Sequence, residues 1–222
     1  MISAEERKRR VAIPTYSLGE ELISSISHGV GALLGIAALV LCIVKSCNPL
    51  DGFKLASSIV FGTTTVILYL MSCLYHALKV NRAKRVFRVF DHCTIFLLIA
   101  GTYTPFTLVT LRNGVGWWLF GVIWLIAIVG IVLNAVSLKK FAKVSVACYL
   151  IMGWMVLFSF PQLKTLLDPR GITLLVAGGC VYTLGAILYG IGSKKKYFHS
   201  IFHFFCLGGT VLHFFAIYLY VL

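Results

Sequence analysis

Long apolar runs separated by short polar breaks dominate the chain. A helix needs roughly 17 to 25 residues to cross about 30 Å of hydrocarbon, and seven runs meet this requirement. They cover residues 22–44, 53–78, 89–111, 115–138, 144–160, 171–192 and 198–222. None shows the period-two alternation of a strand, and strands that face lipid must close into a barrel. The pattern predicts an all-α membrane protein with seven transmembrane helices.

Composition supports the same class. Of the 222 residues, 59% are hydrophobic and 12% are charged, about half the charge of an ordinary soluble domain. The first apolar run is too long for the core of a signal peptide, so it is predicted to be a retained helix. We therefore expect a basic cytoplasmic tail at 1–21 and a single seven-helix domain at 22–222. The predicted location is the cytoplasmic membrane of a bacterium.

Positive charge is distributed unevenly between the two sides of the predicted bundle. The tail and the breaks after the second, fourth and sixth runs carry 15 Lys and Arg, whereas the opposite side carries 5. The positive-inside rule then places the N-terminus in the cytoplasm and the C-terminus outside. With this arrangement the net charge of +13 predicts contact with anionic headgroups at the cytoplasmic face, and no nucleic-acid partner. Membrane lipids are the expected partners, and the oligomeric state stays open.

One acidic residue interrupts the apolar runs. Asp91 lies near the start of the third run, whereas the other six acids, including Glu21, fall in the predicted tail or loops. An ionisable side chain inside a membrane is costly and indicates a functional site. The alternative is a simple ion pair at the membrane interface with Arg88 or Arg85.

Three histidines are predicted to lie at the same depth as Asp91. His76 is near the cytoplasmic end of the second run, and His199 and His203 begin the seventh, one turn apart on a shared helix face. Three imidazoles with one open position are typical of a catalytic zinc site. Zinc is therefore the predicted metal. Iron and manganese remain alternatives, because histidine with carboxylate also suits them.

Other polar side chains could join this site. Ser72 lies one turn from His76 and could face a substrate oxygen, although a bond to its own helix is the simpler expectation. Cys73 and Cys206 share helix faces with the predicted ligands, and a thiolate would indicate a closed, structural site. Hydrogen bonds between helices are the predicted role of three further histidines: His28, His92 and His213.

Four blocks of this sequence resemble a known family. "SCLYH", "DHCTIFLLIAGTYTP" and "HSIFH" look like the signature blocks of the bacterial haemolysin III group, which is related to the progestin and adipoQ receptors and more distantly to alkaline ceramidases. "EELISSISHGVGALL" resembles the first-helix block, with Glu21 and His28 at matching positions and Ser24 where Asn is frequent. The resemblance extends from about residue 20 to the end.

The resemblance implies seven helices and a zinc ion held by His76, His199 and His203. It also implies that Asp91 holds or deprotonates a water at the metal and that Ser72 assists. The superfamily includes lipid amidases, the haemolysin name implies cytolysis, and bacterial members are tied to membrane-lipid homeostasis.

Three functions follow as hypotheses. The first is a zinc-dependent intramembrane hydrolase of lipid amides or esters, with Asp91 as general base and Ser72 in support. The second is a metal-stabilised sensor or receptor without turnover. The third, a cytolytic pore, is weakest, because seven apolar helices with one buried acid do not form a wide polar lumen.

Overall fold

The computed structural model describes residues 13–192 and 195–222 and is built from helices. Within these ranges the only strand-like pairing is an isolated bridge between Cys47 and Leu50, so the all-α prediction is confirmed. The basic residues Arg7 to Arg10 and Lys194 lie outside the described ranges. The helices are α1 (Leu18–Ser46), α2 (Gly52–Ala77), α3 (Arg82–Pro105), α4 (Gly116–Trp154), α5 (Phe160–Leu166), α6 (Pro169–Gly192) and α7 (Phe198–Tyr220).

Helix α1 begins at Leu18, four residues before the predicted span. Ser17 and Glu20 form a capping box: the Ser17 side chain accepts from the Glu20 backbone N–H, and the Glu20 carboxylate accepts from the Ser17 backbone N–H at 2.9 Å. This reciprocal cap satisfies backbone donors that a helix start leaves free. As a result, Glu20 and Glu21 lie in the first turn of the helix and not in a tail.

Helix α4 has a break where the sequence predicts a short loop. Lys139, Lys140 and Lys143 were expected between two spans, but they are helical, and only Ser137 has extended backbone angles (φ −163°, ψ 97°). The Ser137 hydroxyl accepts from the Lys140 backbone N–H at 3.4 Å, as an N-cap side chain does. One residue therefore ends one helical segment and starts the next.

In the part of the chain that the structure describes, six helical stretches are long and apolar enough to cross a membrane. Five correspond to single predicted runs. The sixth extends over 51 residues from Gly116 to Leu166 and contains the break at Ser137, so it covers both the fourth and the fifth predicted runs.

The long helices pack in a closed order, with α1 against α2, α2 against α3, α3 against α4, α4 against α6, α6 against α7, and α7 against α1. Small residues permit close approach: a Cβ on Gly130 of α4 would clash with the Phe96 ring, and one on Gly101 of α3 would clash with the Thr64 hydroxyl. Packing of this kind is typical of helices within lipid.

The two ends of the bundle differ in their polar contacts. At one end, the ammonium groups of Lys45 and Lys54 donate to the backbone carbonyls of Tyr218 and Leu222, at the end of α7. The other end holds the last turn of α2 and the first turns of α3 and α7. The predicted site residues all lie toward this second end.

Candidate metal centre

Three histidine side chains converge where α2 ends and α7 begins. His76 lies in the last turn of α2, and His199 and His203 lie one turn apart in α7. The Nε2 atom of His199 is 3.4 Å from that of His76 and 3.2 Å from that of His203. All three side chains are buried, and their ligand atoms lie within 4.8 Å of one another. This group could hold a metal ion.

Two of the three nitrogen separations match those expected around a zinc ion. Zinc–nitrogen bonds of about 2.0–2.1 Å place two nitrogens of one tetrahedral ion about 3.3–3.4 Å apart. The separations of 3.4 and 3.2 Å agree with that requirement. Neither Cys73 nor Cys206 belongs to the group, and the Cys73 thiol lies 3.5 Å from the Ser25 hydroxyl of α1. The donor set is therefore three imidazoles without a thiolate.

A carboxylate orients the first of these histidines. One oxygen of Glu21 lies 2.7 Å from His76 Nδ1, which directs Nε2 of the same ring toward the other two histidines. Its second oxygen accepts from the Lys84 ammonium at 2.6 Å. Metal-ligating histidines usually donate their other ring N–H to such a partner, which fixes the tautomer and increases ligand basicity. Lys84 is buried, so this ion pair is part of the interior.

The start of α7 is held in place by α1. The Glu20 carboxylate accepts from the Tyr197 backbone N–H at 2.8 Å, and the Ser200 hydroxyl donates to the Glu20 carbonyl at 3.1 Å. Ser200 also accepts from the Ser24 hydroxyl at 3.2 Å. These bonds fix the turn that carries His199.

Tyr16 covers His199 from the segment that precedes α1. The two rings are stacked, with centroids 4.7 Å apart and planes 9° apart. Burial raises the pKa of the Tyr16 hydroxyl well above its usual range, and Tyr189 adds to the shift. The hydroxyl is therefore neutral and available as a hydrogen-bond donor at the edge of the site.

Asp91 and Ser72 line one cavity with His199 and His203. The nearest ion-pair partner of Asp91 is His92, whose Nδ1 lies 3.5 Å from a carboxylate oxygen, and no arginine nitrogen lies within 4.0 Å of it in the described ranges. The alternative of an interfacial pair with Arg88 or Arg85 is therefore not observed. Ser72 makes no bond to its own helix there, in contrast to Thr65, which donates to the Phe61 carbonyl at 2.8 Å. The simpler expectation for Ser72 was wrong.

The remaining histidines differ from one another. His213 bonds the Leu175 carbonyl of α6 at 3.0 Å, which confirms the predicted contact between helices. His92 bonds the Arg88 carbonyl of its own helix, and neither ring nitrogen of His28 has a partner among the described residues, so the prediction was wrong for both. The His28 ring instead packs against His203, with centroids 3.9 Å apart.

The cavity extends away from the histidines into the apolar interior. Its volume is about 230 Å³, and its wall continues past Leu98 and Ile99 to Leu163 and Leu175. The charged side chains of the lining, Arg88 and Asp91, lie at the histidine end, whereas the remaining wall is mostly aliphatic and aromatic with scattered hydroxyl groups. Such a cavity can accept a ligand with a polar head and a long apolar chain.

Several residues around the site were not identified from the sequence. Glu21 was placed in the tail, and the contributions of Lys84, Tyr16 and Tyr189 had no local signal. The capping pattern that begins at Ser17 was the available signal, because it places Glu20 and Glu21 in a first helical turn on the side of the predicted histidines.

Comparisons with known proteins found a matching family model and several similar relatives. A family model described as haemolysin-III related matches residues 16–214. Hemolysin-3 of Bacillus cereus is 39% identical over 208 residues, which is 94% of each chain. The Hemolysin-3 homolog of Bacillus subtilis (strain 168) is 37% identical over 205 residues, 92% of this chain and 96% of that protein. The human monocyte to macrophage differentiation factor is 24% identical over 181 residues, 77% of this chain and 73% of that protein.

Together with the six long apolar helices, these similarities identify a multi-pass integral membrane protein with bacterial relatives. The match over most of the chain also confirms the resemblance of the four sequence blocks. The chain belongs to the haemolysin-III related family.

Proposed function

We propose that this protein is a zinc-dependent intramembrane hydrolase that cleaves an amide or ester bond of a membrane lipid and thereby contributes to membrane-lipid homeostasis. The observation that carries the proposal is the convergence of three histidine nitrogens, because two of these histidines, His199 and His203, line a cavity that Asp91 and Ser72 also line. A zinc ion held by His76, His199 and His203 would act as a Lewis acid toward the scissile carbonyl and would favour the ionised form of water.

The side chains beside the histidines have matching roles. The Asp91 carboxylate, which lies 3.5 Å from Nδ1 of His92, accepts the proton of the attacking water. The Ser72 hydroxyl, which has no partner in its own helix, donates to a substrate oxygen. Glu21 and Lys84 hold the His76 ring in one orientation.

The apolar part of the cavity favours a lipid substrate. An acyl chain that lies along Leu98, Ile99 and Leu163 would place its carbonyl at the polar end, near Asp91 and the histidines. Burial of such a chain contributes about 0.8 kcal/mol per methylene group.

A metal-stabilised sensor is the second candidate function. The polar contacts at the site join α1, α2, α3 and α7 through Glu21, His76, Lys84 and His199. Metal binding would clamp these four helices together, as a structural site does. This alternative predicts metal binding without turnover.

The test measures metal content and hydrolysis in the same samples. Purified protein in nanodiscs is analysed for zinc and assayed against a panel of amide and ester lipids. We expect about one zinc per chain, zinc-dependent hydrolysis of at least one lipid, and loss of most zinc in the His199→Ala, His203→Ala double variant. The matched control is His213→Ala, because His213 is a half-buried histidine of α7 outside the triad.

Zinc without hydrolysis of any lipid would favour the sensor. Full zinc content in the double variant would refute the assigned site.

We further propose seven membrane crossings. A straight helix of 51 residues would be about 77 Å long, more than twice the hydrocarbon thickness, and the break at Ser137 allows the stretch from Gly116 to Leu166 to cross twice. The charge asymmetry supports a cytoplasmic N-terminus, an external C-terminus, and contact of the basic face with anionic lipid headgroups.

A further inference from the structure

Arg88 occupies an unusual position at the polar end of the cavity. It belongs to α3, one turn before Asp91, and its side chain lines the cavity wall. Its Nε atom is buried and has no hydrogen-bond partner among the described residues. No carboxylate oxygen within the described ranges lies within 4.0 Å of its guanidinium. The Arg88 guanidinium therefore has no anionic partner among the described residues.

Three tyrosines share this part of the cavity. Tyr16 precedes α1, Tyr75 belongs to α2, and Tyr189 belongs to α6, and all three line the same cavity as Arg88. Each of the three rings packs against a histidine of the triad: Tyr16 and Tyr189 lie beside His199, with ring centroids 4.7 and 5.9 Å away, and Tyr75 lies beside His76, with centroids 4.5 Å apart. These hydroxyls have no hydrogen-bond partner in the described parts of the chain, in contrast to the Tyr149 hydroxyl, which donates to a backbone carbonyl at 2.7 Å.

These groups are chemically matched to an anionic oxygen ligand. A guanidinium binds phosphate or carboxylate through paired N–H donors, and such charge-assisted bonds are roughly twice as strong as neutral ones. Neutral tyrosine hydroxyls add donors without adding negative charge. Asp91 does not satisfy Arg88, because the nearest partner of its carboxylate is His92.

The position of Arg88 along α3 defines which part of a ligand it would meet. Arg88 lies three residues nearer than Asp91 to the start of the helix, a distance of about 4.5 Å along the axis. The apolar part of the cavity extends in the opposite direction, toward Leu163 and Leu175. A lipid with its chain in that part and its scissile bond at Asp91 would therefore direct its headgroup toward Arg88.

We infer that Arg88, with Tyr16, Tyr75 and Tyr189, forms a subsite for an anionic headgroup, so that the lipids bound by this protein carry a phosphate or carboxylate on the headgroup side of the scissile bond. The inference rests on the proposed function in one respect: the anion belongs to a lipid that enters the cavity. It concerns recognition, and it can be tested without turnover.

The test is equilibrium binding of hexadecyl phosphate and hexadecanol to the purified protein in nanodiscs of neutral lipid. The two probes share one chain and differ in the phosphate. We expect the wild-type protein to bind the phosphate probe on the order of 10- to 100-fold more tightly, the usual contribution of hydrogen bonds to a charged group. Arg88→Gln should remove most of this preference, and Tyr189→Phe should reduce it severalfold.

Arg85→Gln is the matched control, because it removes the same charge one turn earlier on α3 from a residue that does not line the cavity. It should retain the preference. Zinc content is measured in every sample, because a phosphate can also bind a metal. Preference that persists in Arg88→Gln, or that is lost equally in Arg85→Gln, would overturn the inference.

Two further comparisons complete the test. The first distinguishes a lipid phosphate from a free anion, and the second distinguishes failure of the subsite from failure of the hydrolase proposal. Inorganic phosphate at millimolar concentration should compete only weakly with hexadecyl phosphate, whereas strong competition would indicate a site for a free anion and refute a lipid subsite. If the phosphate preference depends on Arg88 but no lipid is hydrolysed, the subsite stands and the hydrolase proposal fails. If a lipid is hydrolysed but the phosphate probe is not preferred, the hydrolase proposal stands and the subsite is refuted.

Discussion

At the scale of single residues, Asp91 distinguishes an enzyme from a structural metal site. Replacement by Asn preserves the shape of the side chain and one acceptor, so zinc content should be retained in either case. If Asp91 is the general base, turnover should fall on the order of 10²- to 10⁴-fold, because the amide cannot accept the proton. The measurement is lipid hydrolysis with zinc content determined in the same sample.

Asp168→Asn is the control for this prediction, because Asp168 is a loop carboxylate that pairs with Arg170 away from the site. It should leave turnover unchanged. Full activity in Asp91→Asn would refute the role assigned to this residue.

The second prediction, also at the scale of single residues, concerns Glu21. Glu21→Gln should lower zinc affinity about 10- to 100-fold, since a partner that orients a ligating histidine contributes on that order. The substitution also leaves the buried Lys84 ammonium without its carboxylate, which would destabilise the fold by about 3–5 kcal/mol.

The double variant Glu21→Gln, Lys84→Met separates these two effects. It should recover thermal stability but not zinc affinity, as measured by thermal unfolding and by competition with a chelator. Recovery of zinc affinity together with stability would show that Glu21 acts only through folding.

The sequence predicts the three histidines but not their supporting residues. Their HxxxH spacing and their position at the starts and ends of apolar runs are visible in one dimension. The pair formed by Glu21 and His76 is not, because 55 residues separate them and only the packing of α1 on α2 brings them together. The same holds for Arg88, whose sequence position suggested a partner of Asp91.

At the scale of helices, the runs of apolar residues predict that a helix exists more accurately than they predict where it begins and ends. The cap at Ser17 extends α1 by one turn, and the N-cap at Ser137 removes a predicted loop. In both cases a single serine side chain decides where a helix starts, and hydropathy alone does not detect it.

Close packing of helices gives the third prediction. Gly130→Ala would place a methyl group against the buried Phe96 ring, so we expect a loss of about 1–3 kcal/mol of stability and a lower melting temperature. The control is Gly121→Ala on the same helix, where a Cβ would meet nothing within 4 Å. It should be neutral or slightly stabilising, because alanine favours the helix. Equal melting temperatures would show that Gly130 does not set the contact between α3 and α4.

At the scale of the whole molecule, the fourth prediction concerns orientation. A reporter fused after Leu222 should be outside, and one inserted in the basic segment 79–88 should be cytoplasmic, because 15 of the 20 Lys and Arg lie on one predicted side. The measurement is a pair of reporters that are active on opposite sides of the membrane. If both reporters lie on the same side, the number of crossings between them is even, which would refute the five crossings that the seven-helix arrangement requires there.

The closed packing order of the long helices has a consequence for the timing of biosynthesis. His76 is made 123 residues before His199, so a nascent chain carries one ligand of the triad until its last helix emerges from the ribosome. Under the proposed function, metal capture would be a closing step of maturation that joins the final helix to the earlier ones. A chain truncated before Phe198 would insert most of its length into the membrane and still be unable to retain the metal.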